Sequence, residues 1–315
     1  MTGFCFHRWI TTLADRRLWQ ACLSVGILLF SIAVYADNKS VLIIKSNENS
    51  FFNSSIEQLI LHTPQVQFQI VTLDTLHSDD SALLSAGCVI TFGLDAANFT
   101  IHRTQKKPVI HTYLTEFQLQ QHADSLQHYI ILLDQPLQRY LTFIKLLLGS
   151  KKIGLIKNKS TALDPERIQD LNQSLDIQLE QRLFSVGDNP INMVRDLLQK
   201  NDVLLSLPEP DVYNRNTLKG ILLTSYRQNK PVISYSPSQV KSGALAAIYS
   251  SPENIGRQTA ALLNKILDDN SFQPQGVYFS SEFDIKFNPN VARSLGLQLP
   301  DKEELLQKLK QDQSE

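Results

Sequence analysis

The side chains best suited to hold a small molecule are concentrated in five loops of the sequence. Each loop combines hydrogen-bonding groups or glycines with apolar or aromatic side chains, and a solute needs both kinds of contact. Each residue is also an ordinary turn or helix-capping type, so only the grouping indicates a site. The candidate ligand-binding residues are Ser46, Asn47 and Phe51; Gly93, Leu94, Asp95 and Ala96; Asp134 and Gln135; Glu209, Tyr213 and Asn214; and Ser236, Ser242, Gly243 and Ala244.

The sequence has none of the spaced motifs that indicate catalysis or cofactor binding. It lacks a glycine-rich dinucleotide loop, a phosphate-binding loop, a His-Glu-x-x-His motif and a Gly-x-Ser-x-Gly motif. All seven histidines lie at or before His128, and no two stand four residues apart as helical metal ligands would. We therefore expect no metal, no cofactor and no enzymatic activity. A hydrolase stays open as the less favoured alternative, because a catalytic carboxylate pair is defined in space and not in sequence.

The composition predicts a folded chain that does not bind nucleic acid. Of its 315 residues, 43% are hydrophobic and 19% are charged, as in ordinary globular domains. The 30 basic and 31 acidic residues give a net charge of −1, so there is no basic excess for phosphate contacts. We expect a monomer.

The first 36 residues have the pattern of a signal peptide. Arg8, Arg16 and Arg17 precede an uncharged run over residues 18–36, which ends in Val34-Tyr35-Ala36. The run is also long enough for an uncleaved membrane anchor, which is the alternative. Cleavage would leave Cys88 as the only cysteine, and we read it as a buried apolar residue. A chain without a disulfide favours a bacterial periplasm over a eukaryotic secretory pathway.

The rest of the sequence alternates short apolar runs with amphipathic stretches, and this predicts where the five loops lie. The pattern runs to residue 133, is broken by Asp134-Gln135-Pro136, and starts again with a helix over residues 137–148. It predicts two doubly wound α/β units with parallel sheets. In such sheets ligands bind beyond the carboxyl ends of the strands, which would bring the loops together. Predicted strands are 41–44, 67–73, 88–92, 108–111, 128–133, 152–156, 177–183, 203–207 and 232–235, with candidates at 278–279 and 283–285. Predicted helices are 52–62, one beginning near residue 95, 137–148, 165–175, 190–200, 217–226, 252–268 and 305–310.

The segment over residues 202–256 carries a family resemblance. It contains Leu207-Pro208-Glu209-Pro210, Tyr213-Asn214, Ser236-Pro237 and Ser242-Gly243-Ala244. Together with Asp134-Gln135-Pro136 and the ending Leu295-Gly296-Leu297, it resembles the substrate-binding proteins of ABC transporters, in the branch with the type 1 periplasmic-binding-protein fold that includes amino-acid and aromatic amino-acid binders.

The resemblance implies two α/β lobes joined by three crossovers. The expected division is a signal peptide over 1–36, an N-terminal lobe of 37–133 plus about 252–276, and a C-terminal lobe of 134–251 plus about 277–315. Such proteins trap an amino acid or another small polar solute between the lobes by hinge closure and deliver it to a membrane permease. A sensor of the same fold that reports to a membrane receptor is the alternative.

Two positions depart from the family pattern. Relatives often have a Gly-Thr-x-Ala turn after the third strand that holds a ligand carboxylate, whereas this chain has Gly93-Leu94-Asp95-Ala96. Glu209 stands where relatives usually carry Asp. One hypothesis is that Asp95 faces the cleft and favours a ligand that donates hydrogen bonds. The other is that Asp95 only caps a helix.

Overall fold

The computed structural model describes residues 40–76, 81–101, 103–104, 107–122, 129–149, 151–268 and 276–311. The predicted signal peptide lies outside these residues. Within them, no helix is long and apolar enough to cross a membrane.

The first sheet has six parallel strands in the order β11-β5-β4-β3-β1-β2. Its strands are β1 (Ser40–Lys45), β2 (Gln67–Thr72), β3 (Cys88–Phe92), β4 (Val109–Leu114), β5 (Tyr129–Leu132) and β11 (Gly276–Phe279). The helices around it are α1 (Ser50–Leu61), α2 (Ser81–Ser85), α3 (Leu94–Thr100), α4 (Glu116–Gln121) and α10 (Pro252–Asp268).

Alternating side chains of β1 show why both faces of this sheet are covered. Val41 and Ile43 pack with α1 and α10, whereas Leu42 and Ile44 pack in a second cluster with α2 and α3. A strand that buries both faces reads as a continuous apolar run, which is the signal from which the sequence predicted it. Cys88 is fully buried at the start of β3, and burial raises the pKa of its thiol to about 12.

The second sheet has the order β12-β10-β9-β8-β6-β7, with β12 antiparallel to β10 and the other pairs parallel. Its strands are β6 (Lys152–Asn158), β7 (Gln178–Phe184), β8 (Val203–Leu205), β9 (Val232–Ser234), β10 (Ala246–Tyr249) and β12 (Asp284–Phe287). Its helices are α5 (Leu137–Leu148), α6 (Pro165–Leu175), α7 (Pro190–Leu197), α8 (Leu218–Arg227), α9 (Pro237–Ser242), α11 (Pro289–Ser294) and α12 (Lys302–Gln311). The prediction of two doubly wound α/β units is confirmed.

The chain passes between the two sheets three times, through residues 133–136, 250–251 and 280–283. The last passage lies later than the sequence predicted. Residues 277–279 were assigned to the second lobe, but they belong to β11, which pairs with β5 in the first sheet. Helix α10 and the short strand after it therefore complete the first sheet, whereas β12, α11 and α12 complete the second.

Candidate functional site

A cavity of about 410 Å³ lies where the carboxyl ends of strands from both sheets meet. This volume is in the range of small-molecule sites. Its wall is rich in aromatic and hydroxyl side chains, and none of the described residues that line it is charged. The lining residues are Phe51, Tyr113, Thr115 and Leu133 from the first sheet, α1 and their loops, and Pro208, Tyr235, Ser236, Pro237, Tyr249, Ser250, Ser251 and Pro252 from the second sheet, α9 and the crossover into α10. We call this space the aromatic cavity.

Tyr113 forms a fixed part of this wall. Its backbone has a φ of 60°, in the left-handed region, at the point where the register between β4 and β5 shifts. Its hydroxyl donates to the Phe51 carbonyl over 3.0 Å and lies 2.6 Å from Ser55 Oγ, while its ring meets Phe52 edge-on at 4.8 Å between centroids. Burial raises the Tyr113 pKa to about 12, so the phenol stays protonated at neutral pH.

The opposite wall presents Tyr235, Ser236 and Tyr249. Ser236 caps α9 by accepting a hydrogen bond from the Ser238 N–H. Burial and the nearby carboxylate of Asp284 raise the Tyr249 pKa to about 12, so this phenol is also neutral. Phe51, on the first-sheet side, is 60% exposed and lies against the cavity as an accessible ring. The cavity thus offers aromatic faces and neutral hydrogen-bonding groups to a ligand.

A second cavity, of about 310 Å³, has a charged lining and lies beside the first crossover. Its charged lining residues are Glu116, Asp134, Lys157, Arg167 and Glu209. Asp134 Oδ2 accepts the Glu116 N–H over 2.8 Å, and burial raises the Asp134 pKa to about 7. Lys157 Nζ lies 3.6 Å from a carboxylate oxygen of Glu116 and 3.6 Å from one of Glu209. We call this space the charged cavity.

Glu209 uses its carboxylate to hold the end of β6 in place. Oε2 accepts the backbone N–H of Asn158 over 3.2 Å and its side-chain amide over 2.8 Å. Oε1 accepts the hydroxyl of Thr161 over 2.7 Å. With Lys157 beside it, Glu209 has protein partners at both oxygens, as a buried carboxylate requires.

The loops after β1 and β3 cap a helix together. Ser46 Oγ accepts the Ala96 N–H over 3.0 Å, and so satisfies one donor in the first turn of α3. Gly93 has a φ of 93° and leaves room for this contact, because a Cβ there would lie 2.7 Å from Ser46 Oγ. Asp95 is exposed, lines neither cavity, and has no hydrogen bond or ion pair among the described residues.

The other predicted ligand residues lie outside both cavities. Asn47 is exposed, and Leu94 and Ala96 belong to α3. Tyr213 is buried in the core beside α7 and α8, and Asn214 donates to the carbonyls of its own loop. Residues 242–244 were expected to follow a strand, but they end α9 and precede β10, so they lie at the amino edge of the sheet.

The structure therefore divides the sequence-predicted residues between two places. Phe51 and Ser236 line the aromatic cavity, whereas Asp134, Gln135 and Glu209 line the charged cavity. The sequence analysis missed six further polar or aromatic residues that line the aromatic cavity. They are Tyr113, Thr115, Tyr235, Tyr249, Ser250 and Ser251. The sequence analysis ended β4 at residue 111 and did not predict β10. Both strands end at the cavity, so residues at their carboxyl ends were not selected.

Residues 134–311, more than half of the chain, match the family model described as ABC transporter substrate binding protein. The chain belongs to this family, and the predicted resemblance is confirmed. Family members bind small molecules and deliver them to the permease of an ABC transporter. No curated protein matches the sequence.

This chain is similar in fold to solved structures, and the similarity covers almost the whole length of each of them. A ligand-free, open substrate-binding protein with adhesive properties from Clostridium difficile is 15% identical, with a TM-score of 0.65 over 84% of this chain and 97% of that one. A conserved domain protein from Vibrio cholerae is 18% identical, with a TM-score of 0.55 over 86% and 98%. An ABC domain from Streptococcus pneumonia in complex with L-Trp is 15% identical, with a TM-score of 0.54 over 86% and 98%. At these identities the likeness concerns the fold.

Proposed function

We propose that this protein captures a small organic solute with an aromatic or other apolar face in the aromatic cavity and delivers it to an ABC-type permease. The observation that carries the proposal is the wall of this cavity. Phe51, Tyr113, Tyr235 and Tyr249 approach it from the sides of both sheets, and no described lining residue is charged. Rings from two sides bind a flat solute by stacking and burial, and hydroxyl groups orient its polar atoms.

Capture would proceed by hinge closure of two lobes. We propose a first lobe of residues 40–132 and 252–279 and a second lobe of residues 137–249 and 284–311, joined by the three crossovers. Because both lobes contribute to the cavity wall, a ligand gains contacts when the lobes approach each other. Such differential contact is what shifts a population towards a closed state.

The ligand is expected to be neutral or cationic at the end that enters the aromatic cavity. Aromatic amino acids are the first compounds to test, because the pneumococcal structure of similar fold holds L-Trp. Among the residues that the structure describes, however, no lysine or arginine lines the aromatic cavity to pair with a carboxylate. Burial is the main cause of the raised pKa of Tyr113 and Tyr249, and the carboxylate of Glu253, which follows the lining residue Pro252 directly, adds to it. The field of this carboxylate favours positive charge there.

The first experiment identifies and measures the ligand. Protein purified without refolding is extracted, and co-purified compounds are identified by mass spectrometry. Calorimetry then compares L-tryptophan with tryptamine, which lacks the carboxylate. We expect tryptamine to bind at least as tightly. Tighter binding of the amino acid by tenfold or more would contradict the proposed ligand chemistry.

A matched pair of variants tests where the ligand binds. Phe51→Ala removes an exposed ring from the cavity, and Tyr226→Ala removes an exposed ring from α8, away from it. Loss of one stacking ring costs about 1.4 kcal/mol, so Phe51→Ala should weaken binding about tenfold. Tyr226→Ala should leave the affinity unchanged. Equal affinities for the identified ligand in both variants would place the binding site elsewhere.

We also propose that the protein is an exported monomer of the periplasm, released from a leader that ends at Ala36. The support is the Arg-rich start and the uncharged run in residues 1–36. Mass spectrometry of protein expressed in a bacterial host should find an N-terminus at or near Asp37. A membrane-bound species that retains residues 1–36 would instead favour the anchor. Light scattering coupled to size exclusion measures the oligomeric state.

A further inference from the structure

One continuous chain of hydrogen bonds connects all three crossovers between the sheets. Gln135, in the first crossover, donates from Nε2 to Ser250 Oγ in the second over 2.8 Å. Ser250 Oγ donates in turn to the carbonyl of Glu282 in the third over 3.0 Å. These hydrogen bonds join Gln135 to Ser250, 115 positions apart in sequence, and Ser250 to Glu282, 32 positions apart.

Arg139 adds a second connection between the first and third crossovers. From the first turn of α5, its Nη1 donates to Gln135 Oε1 and, over 2.8 Å, to the carbonyl of Ser280. Its guanidinium also lies 4.3 Å above the ring of Phe283. Burial lowers the Arg139 pKa to about 10, so the group remains a cation at neutral pH. We call Gln135, Arg139 and Ser250 the crossover clasp.

The two long side chains of the clasp are shielded from solvent, whereas Ser250 is half-buried. Gln135 is 3% exposed, Arg139 is 6% exposed and Ser280 is fully buried. Water therefore cannot easily replace a lost partner, and each hydrogen bond makes the arrangement of the crossovers more specific. Gln135 and Arg139 do not line the aromatic cavity. Gln135 reaches its wall through the hydrogen bond to Ser250, and both residues otherwise influence a ligand there through the relative position of the lobes.

We propose that Gln135 and Arg139 are positioning residues for ligand capture: their side chains couple the three crossovers so that they turn as one hinge. Without the clasp, each crossover would change its backbone angles separately, and the lobes would sample more relative orientations. This inference goes beyond the identity of the ligand, and it holds whichever solute the protein binds.

Single-molecule fluorescence energy transfer tests the proposal on the full chain without ligand. Labels are placed at Leu61→Cys on α1 and Val186→Cys after β7, two exposed positions attached to different sheets. Cys5 and Cys22 are changed to serine. Cys88 needs no change, because its thiol is fully buried.

The variants are Gln135→Met, which removes both hydrogen bonds of the amide, and Arg139→Lys, which keeps the charge but replaces the planar guanidinium above Phe283 by a shorter ammonium side chain. The matched control is Gln138→Met, the same change at an exposed position of α5. We expect both clasp variants to exchange between inter-lobe distances at least five times faster than wild type, with a broader distance distribution. The control should behave as wild type.

A fall in melting temperature with an unchanged distance distribution and unchanged exchange would overturn the proposal, because it would mean that the clasp only stabilises the fold. If Arg139→Lys does not fold, Gln135→Met decides alone. Since no ligand is added, failure here is separate from failure of the proposed ligand chemistry.

Discussion

Replacing Asp134 by asparagine should stabilise this protein above neutral pH. Asp134 lies in the first crossover, is 6% exposed, and receives the N–H of Glu116. Burial is the main reason that its pKa rises to about 7, and the Glu116 carboxylate adds to the effect. The Glu116 N–H and Lys157 oppose it and keep the rise from being larger.

The magnitude follows from the difference between the folded and unfolded pKa. The folded value is about 7 and the ordinary value is 3.8, a difference of roughly 3 pKa units, or about 4 kcal/mol at 1.36 kcal/mol per unit. Between these two values the folded state binds more protons than the unfolded state. The contribution of Asp134 to the free energy of unfolding therefore falls as pH rises from about 4 to about 7 and then stays level.

Asparagine removes this dependence and keeps the acceptor. Its side-chain oxygen can still receive the N–H of Glu116, so Asp134→Asn should be more stable than wild type at pH 8 by up to about 4 kcal/mol. Relaxation around the buried charge makes this figure an upper limit. At pH 4 the two proteins should have nearly equal stability, because the wild-type carboxyl is then protonated.

Urea unfolding followed by circular dichroism from pH 4 to 8.5 measures the difference. Subtracting the two curves isolates Asp134 from the other groups that titrate in this range. Asp95→Asn, at an exposed carboxylate, is the matched control and should follow the wild-type curve. If Asp134→Asn were less stable than wild type at pH 8, the Asp134 carboxylate would be a favourable partner of Lys157, and the reasoning from burial would be refuted.

Three further substitutions have expected outcomes. Ser46→Ala should lower the free energy of unfolding by about 1 kcal/mol in urea titrations, because a first-turn N–H of α3 loses its acceptor; an unchanged value would mean that water replaces it. Gly256→Ala should lower it by about 1–3 kcal/mol, since a Cβ there would lie 2.3 Å from a backbone oxygen of α1, and wild-type stability would mean that α1 and α10 separate easily. Asp95→Asn should leave the melting temperature unchanged, and calorimetry with the identified ligand then tests its proposed role: a tenfold loss of affinity supports a contact with ligand donor groups, and no loss rejects it.

The sequence predicted the long elements well because their signals are redundant. The predicted bounds of α6 and α10 agree with the structure residue for residue, since each helix begins with proline in its first turn and continues as a clear amphipathic pattern. Short elements have no such redundancy. Helices α2 and α9 have five and six residues, too few to show a helical period, and the sequence did not predict either of them.

The candidate site was predicted only in part. The rule that ligands bind beyond the carboxyl ends of the strands selects the right loops only where the strands themselves are predicted correctly. It found Phe51 after β1 and Ser236 after β9. It missed Tyr249 because β10 was not predicted, and it selected Ser242 because the loop before β10 was taken for part of the site. It missed Tyr113, which lies at a bulge with its backbone in the left-handed region. A tyrosine within a strand pattern does not predict that backbone conformation.

At both positions where the sequence departs from the family pattern, the structure shows hydrogen bonds within the protein. These hydrogen bonds support the proposal of a ligand that does not bind through a carboxylate. The turn after β3 lacks the threonine of many relatives, and a hydroxyl from another loop, Ser46, accepts the Ala96 N–H instead. A ligand carboxylate would have to displace that hydroxyl to use this donor. Glu209, the second position at which the resemblance implies a departure, lines the charged cavity and binds Asn158 and Thr161 with its carboxylate. The Ala96 N–H of the turn and the carboxylate of Glu209 therefore already have hydrogen-bond partners within the protein. What remains in the aromatic cavity is a wall of rings and neutral hydroxyl groups, which favours a solute that gains its affinity from an apolar face and not from charge.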